Sequence, residues 1–147
     1  MNNPNLGNIR ALKQYNKINL QTSIESASPH RLIQMLMDGA LAKLAQAKGH
    51  MKANSVAQKG EDISIAISII GGLRDSLDHK KGGEIANNLD SLYEYMTHRL
   101  MESNLKNDIS MIDEVHDLLM EIKSAWDAIA NHPEAAQAET RLEQPAA

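Results

Sequence analysis

The chain has 147 residues, 42% of them hydrophobic and 23% charged, which gives room for one domain with a sizeable core but not for two comfortable ones. Its net charge is −4 and its 15 Lys and Arg are scattered, which excludes the basic footprint of a nucleic-acid-binding surface. There is no cysteine, hence no disulfide framework, thiolate nucleophile or Cys-ligated metal; with no Phe and 8 Met, the core must be filled by Leu, Ile, Ala and Met, a composition that leans towards packed helices.

Residues 1–27 are polar and Asn-rich, with sparse apolar side chains at Ile9, Leu12, Tyr15, Ile18, Leu20 and Ile24, and are expected to form a mobile N-terminal arm. The opening lacks the charged, apolar and small-residue order of a signal peptide, and no window approaches eighteen uninterrupted apolar residues. A cytoplasmic protein without membrane insertion is expected.

"SASPHRL" is a helix start, with Ser28 as N-cap and Pro29 at the first helical position, where its missing N–H costs nothing. The first helix is predicted to run to about Met51, with Leu32, Ile33, Leu36, Ala40, Leu44, Ala47 and Met51 forming one buried face. In "EDISIAISIIGGLRDSLDH" the alternation of Ile63, Ile65, Ile67 and Ile69 is a strand signal, while Ile63, Ala66, Ile67, Ile70, Leu73 and Leu77 trace a helical stripe. A lone strand would have no partner, so a helix over about Ser55 to Asp78 is the reading adopted.

"HKKGGE" is predicted to be a turn, and Glu84 to Lys106 a third helix through Ile85, Leu89, Leu92, Met96 and Leu100. Asp108 is placed as cap of a fourth helix that buries Ile109, Ile112, Val115, Leu119 and Trp126 and stops before His132-Pro133. Four helices of roughly 22 to 24 residues joined by short turns describe an all-α, antiparallel four-helix bundle over residues 28–131. The remaining 132–147 are expected to be a frayed or disordered tail.

The residues for chemistry are sparse. Glu94, His98 and Glu102 share a helical face, and Asp113 and His116 are three apart, but a di-iron bundle needs two Glu-x-x-His motifs and further Glu ligands, so a solvated charged face is the better reading. No Gly-x-Ser-x-Gly is present, and the glycine pairs at 71–72 and 82–83 match neither a P-loop nor a dinucleotide fingerprint. No cofactor, metal or catalytic residue is expected.

What remains is surplus apolar surface. Ile65, Ile69 and Gly72 on the second helix, Tyr93, Met101 and Leu105 on the third, and Met111, Leu118, Ile122 and Ile129 on the fourth exceed a single buried seam. Such a surplus means a wider core, a dimer interface or a groove for a partner. Of these residues, Ile65, Ile69, Gly72, Tyr93, Met101, Leu105, Met111, Leu118 and Ile122 are the candidate client-binding set, with Ile65, Ile69 and Gly72 and Leu118 and Ile122 lining the groove.

Three stretches carry a resemblance: "TSIESASPHRLIQMLMDGALAKLAQAK", "LYEYMTHRLMESNLKND" and "EVHDLLMEIKSAWDAI". From about Leu12 to Ile129 the sequence resembles the FliS-type flagellar export chaperones, with Met37 where that family usually has Tyr. The resemblance implies a non-catalytic helical bundle in the cytosol. It implies binding of the disordered C-terminal segment of flagellin, prevention of its premature polymerisation, and delivery to the flagellar export gate. It also implies that the arm caps part of the client site; Ile9, Leu12, Tyr15 and Ile18, at intervals of three, make its sticky face, and weak self-association of the free protein is expected from its exposed apolar surface. Two other classes fit the residues alone: a helical adaptor or dimer scaffold using the same patch, and a metal-binding bundle enzyme.

Overall fold

The computed structural model describes residues 27–129. The arm residues Ile9, Leu12, Tyr15 and Ile18 and the tail 132–147 lie outside them. The described residues form four α-helices: α1 Pro29–Lys52, α2 Val56–Asp75, α3 His79–Lys106 and α4 Ile109–Ala128. The helical reading of the isoleucine-rich segment holds, and no strand occurs among the described residues.

Three of the four helices, all but α2, begin where a short polar side chain accepts from their orphan N–H groups. Ser28 Oγ accepts from the Arg31 N–H at 3.1 Å, Asp78 from Lys80 and Lys81, and Asp108 from Ser110 at 2.9 Å. Hydrogen bonds from the Lys81 and Lys80 N–H groups hold the Asp78 carboxyl below the usual carboxylate range, and those from Ser110 do the same for Asp108. The first and last turns use asparagine's tolerance of the left-handed region, with Asn54 and Asn107 both at φ 55°. After Asn107, the Asp108 N–H returns to the Ser103 carbonyl at 3.1 Å and ties off α3.

The segment read as a turn, "HKKGGE", is helical for its first residues. Asp78 caps that turn, and the chain breaks only at Gly83, where φ is 51° and ψ −123°. Both glycines have a reason: a Cβ on Gly82 would stand 2.8 Å from the Ala86 Cβ, and Gly83 has the positive φ. The second helix is also shorter than expected, ending at Asp75, where the Ser76 hydroxyl donates to the Leu73 carbonyl at 2.6 Å.

The helices form a ring in chain order, each packed against the next and α4 against α1. Their antiparallel sense is fixed by cross-helix bonds. Lys59 at the start of α2 reaches Asn104 at the end of α3, Arg74 at the end of α2 reaches Asp90 at the start of α3, and the Trp126 indole donates to the His30 carbonyl at 3.0 Å. Lys48 near the end of α1 pairs with Asp113 at the start of α4. The centre is filled by Met37, Leu44, Ile63, Ile70, Leu73, Met96, Leu100, Ile112, Val115 and Leu119, each no more than 1% exposed. Burial of this apolar set, at about 25 cal/mol per Å², drives the fold.

Core expectations change at several positions: Leu32, Ile33, Leu36, Ile67, Leu77, Leu89 and Leu92, predicted on buried faces, are half-buried. Ile85, predicted to lie on the buried stripe, is 71% exposed, while its neighbour Ala86 is buried. Ile109 and Trp126 are half-buried, the indole stacking on His30 with ring centroids 4.5 Å apart.

Candidate functional site

The candidate groove residues do not share one surface. Ile65 and Ile69 are 7% and 4% exposed and belong to the core cluster, so they are not surplus surface in this structure. They lie on the same flank of α2 as Asp62, whose carboxylate meets His50 Nδ1 of α1 at 2.6 Å, so this flank faces α1. Gly72, on the outer edge of that flank, is exposed, with nothing within 4 Å of where a Cβ would stand. Leu118 and Ile122 are half-buried and lie on the flank of α4 that carries Glu114, the partner of Arg99 and Tyr95 on α3. In a ring α2 and α4 are diagonal, and here their candidate residues also face different neighbours. An open groove lined jointly by Ile65, Ile69, Gly72, Leu118 and Ile122 therefore does not form.

The third-helix residues divide in the same way. Tyr93 is buried, 2% exposed, and desolvation pushes its hydroxyl up to about 12. Met101 and Leu105, one turn apart, are 56% and 86% exposed on the edge that α3 turns towards α2, and Met111 is buried. Polar contacts lock the other edge of α3 to α4. Arg99 Nε donates to Glu114 at 2.6 Å and the Tyr95 hydroxyl to the same carboxylate at 2.9 Å, and these bonds, Arg99's first, hold Glu114 below the usual carboxylate range.

Beside Leu105 the structure shows a feature that the sequence reading missed. His50, Met51, Asn54, Ser55, Val56, Lys59, Asn104, Leu105 and Asn107 line an open recess of about 160 Å³ at the end of the bundle where α1, α2 and α3 meet. Val56, 70% exposed, and Leu105 supply its apolar rim. Lys59 is buried and donates to the Asn104 carbonyl at 3.0 Å. One signal could have found it: Lys59 stands four residues before Ile63, on the apolar stripe that continues to Ala66 and Ile70.

The recess is smaller than the ~300 to 1,000 Å³ usual for small-molecule sites. Among the described residues no three His, Asp or Glu side chains converge as metal ligands; Glu94 and His98 stand 3.9 Å apart as an exposed pair, and His116 faces Asp117. Also among them, no helix is long and apolar enough to cross a membrane. The described residues form a helical bundle with exposed apolar side chains distributed over several faces.

Comparison with known proteins specifies the class. A family model described as flagellar protein FliS matches residues 11–133. The chain is 52% identical to the flagellar secretion chaperone FliSB of Pseudomonas aeruginosa over 123 residues, 84% of this chain and 98% of the relative. It is 46% identical to the flagellar secretion chaperone FliS of Salmonella typhimurium over 131 residues (88% and 96%), and 43% identical to that of Vibrio cholerae over 119 (81% and 88%). The chain belongs to the FliS family of flagellar secretion chaperones, which are chaperones and not enzymes.

Proposed function

We propose that this chaperone binds the disordered C-terminal segment of flagellin in the cytosol, prevents its premature polymerisation and hands it to the flagellar export gate. Family membership carries the reading, and the exposed apolar side chains on separate faces of the bundle support it. A client that touches Gly72, the Met101 and Leu105 ridge, and Leu118 with Ile122 has to pass around the bundle, since these face different clefts. A disordered segment can do that, because it folds onto its partner and keeps releasable affinity by meeting its ordering cost on binding. Ile65, Ile69, Tyr93 and Met111 would back this path from within the core.

Residues 1–20, with Ile9, Leu12, Tyr15 and Ile18, are proposed to compete with the client. Their deletion then tightens binding of the client segment or speeds association, because a competitor lowers apparent affinity by the fraction of time the site is open. The test of the function itself is co-purification with flagellin retaining or lacking its C-terminal segment. Only the intact flagellin is expected to be retained. Equal retention of both, or a concentration-dependent dimer with no flagellin affinity, would overturn the proposal.

A further inference from the structure

The geometry points to the recess beside α3 as an anchor site for an acidic side chain carried next to an apolar one, an Asp or Glu beside Leu, Ile or Val in a partner peptide. Lys59 is 6% exposed and has three donors. One reaches the Asn104 carbonyl at 3.0 Å and another the Asn107 Oδ1 at a long 3.4 Å. Among the described residues no carboxylate pairs with it. The acid one turn along the same helix, Asp62, is already held by His50 at 2.6 Å and by Lys43 at 3.9 Å.

A buried ammonium that meets only a carbonyl and an amide oxygen is poorly compensated, and a carboxylate is the group that compensates it best. The remaining polar lining suits the same ligand: His50, Asn54, Ser55, Asn104 and Asn107 carry donors and no acid. Val56 and Leu105 add an apolar rim at the mouth. The volume, about 160 Å³, equals some five waters at ~30 Å³ each, enough for one side chain and its neighbour's contact but not for a helix.

Charge at the base and apolar surface at the rim select a two-residue step, acid plus aliphatic. This proposal does not depend on flagellin being the client, so the test uses peptides without flagellin sequence. A ten-residue peptide, acetylated and amidated to remove its terminal charges, carries a central Leu-Glu step, and its counterparts carry Leu-Gln and Ala-Glu. Each is titrated into the ¹⁵N-labelled full chain.

The Leu-Glu peptide is expected to move the amide signals of Asn54, Lys59, Leu105 and Asn107, and to bind about three- to tenfold more tightly than either counterpart. Lys59→Met keeps most of the aliphatic stem and is expected to remove the preference for Glu over Gln, while Lys59→Arg retains it. Equal binding of Leu-Glu and Leu-Gln by the unaltered protein, or shifts confined to other faces, would overturn the proposal whether or not Lys59→Met folds. A preference for Glu that survives in a folded Lys59→Met protein would overturn it as well.

Discussion

Ile69 separates a core position from a client contact, and the structure sets the size of the effect. Its side chain is 4% exposed and packed in the core cluster. Truncation to Ala removes most of that buried surface and leaves a cavity, which in cores of this kind costs about 2 to 5 kcal/mol. Asp at the same place adds an unpaired buried carboxylate, several kcal/mol more, against a total stability of about 5 to 15 kcal/mol for a domain. Ile69→Asp is therefore expected to unfold the bundle, and Ile69→Ala to leave it folded but weakened. Gly72, three residues on, is the control, since it is exposed and a Cβ there meets nothing. Replacing it with Ala is expected to stabilise α2 by up to about 1 kcal/mol through helix propensity. Urea unfolding followed by far-ultraviolet circular dichroism measures both. With a slope of about 1 to 3 kcal/mol per molar, the midpoint falls by roughly 1 to 2 M for Ile69→Ala and rises by a few tenths of a molar for Gly72→Ala. A midpoint for Ile69→Ala indistinguishable from the parent's, with client affinity lost, would refute the core assignment and return Ile69 to the binding surface.

Two other perturbations follow from the same contacts. Ser28→Ala removes the acceptor for the Arg31 N–H and is expected to cost about 1 kcal/mol, seen as a lower denaturation midpoint; no change would mean that packing alone holds the start of α1. Burial pushes Tyr93 up to about 12, above its ordinary 10, so the unfolded chain loses this proton first. The stability linked to it is complete below pH 10 and declines as pH rises towards about 12. Tyr93→Phe is expected to flatten that part of the alkaline unfolding profile, and unchanged steepness would show that the hydroxyl is solvated.

The helices were legible in the sequence because their signals are local. Ser28 before Pro29 and Asp108 before Ile109 act through hydrogen bonds spanning two or three residues, so the same side chains that suggested the caps make them. The Gly83 break was legible only as a glycine pair. Whether it lay in a turn or in a helix depended on Asp78 capping the residues before it. The partner surface was harder to read, for a geometric reason. Counting one buried stripe per helix made Ile65 and Ile69 surplus, yet in a ring of four each helix covers the centre and both neighbours. At about 100° per residue, Ile63, Ala66, Ile69, Ile70, Leu73 and Ile65 fill an arc of roughly 160°. Sequence periodicity specifies the angle of each side chain about its own axis, and here it did so correctly. Which of those angles another helix covers, and that Lys59 on the apolar stripe ends at a recess beneath the C-terminus of α3, depend on the relative placement of helices distant in sequence, which only tertiary packing decides.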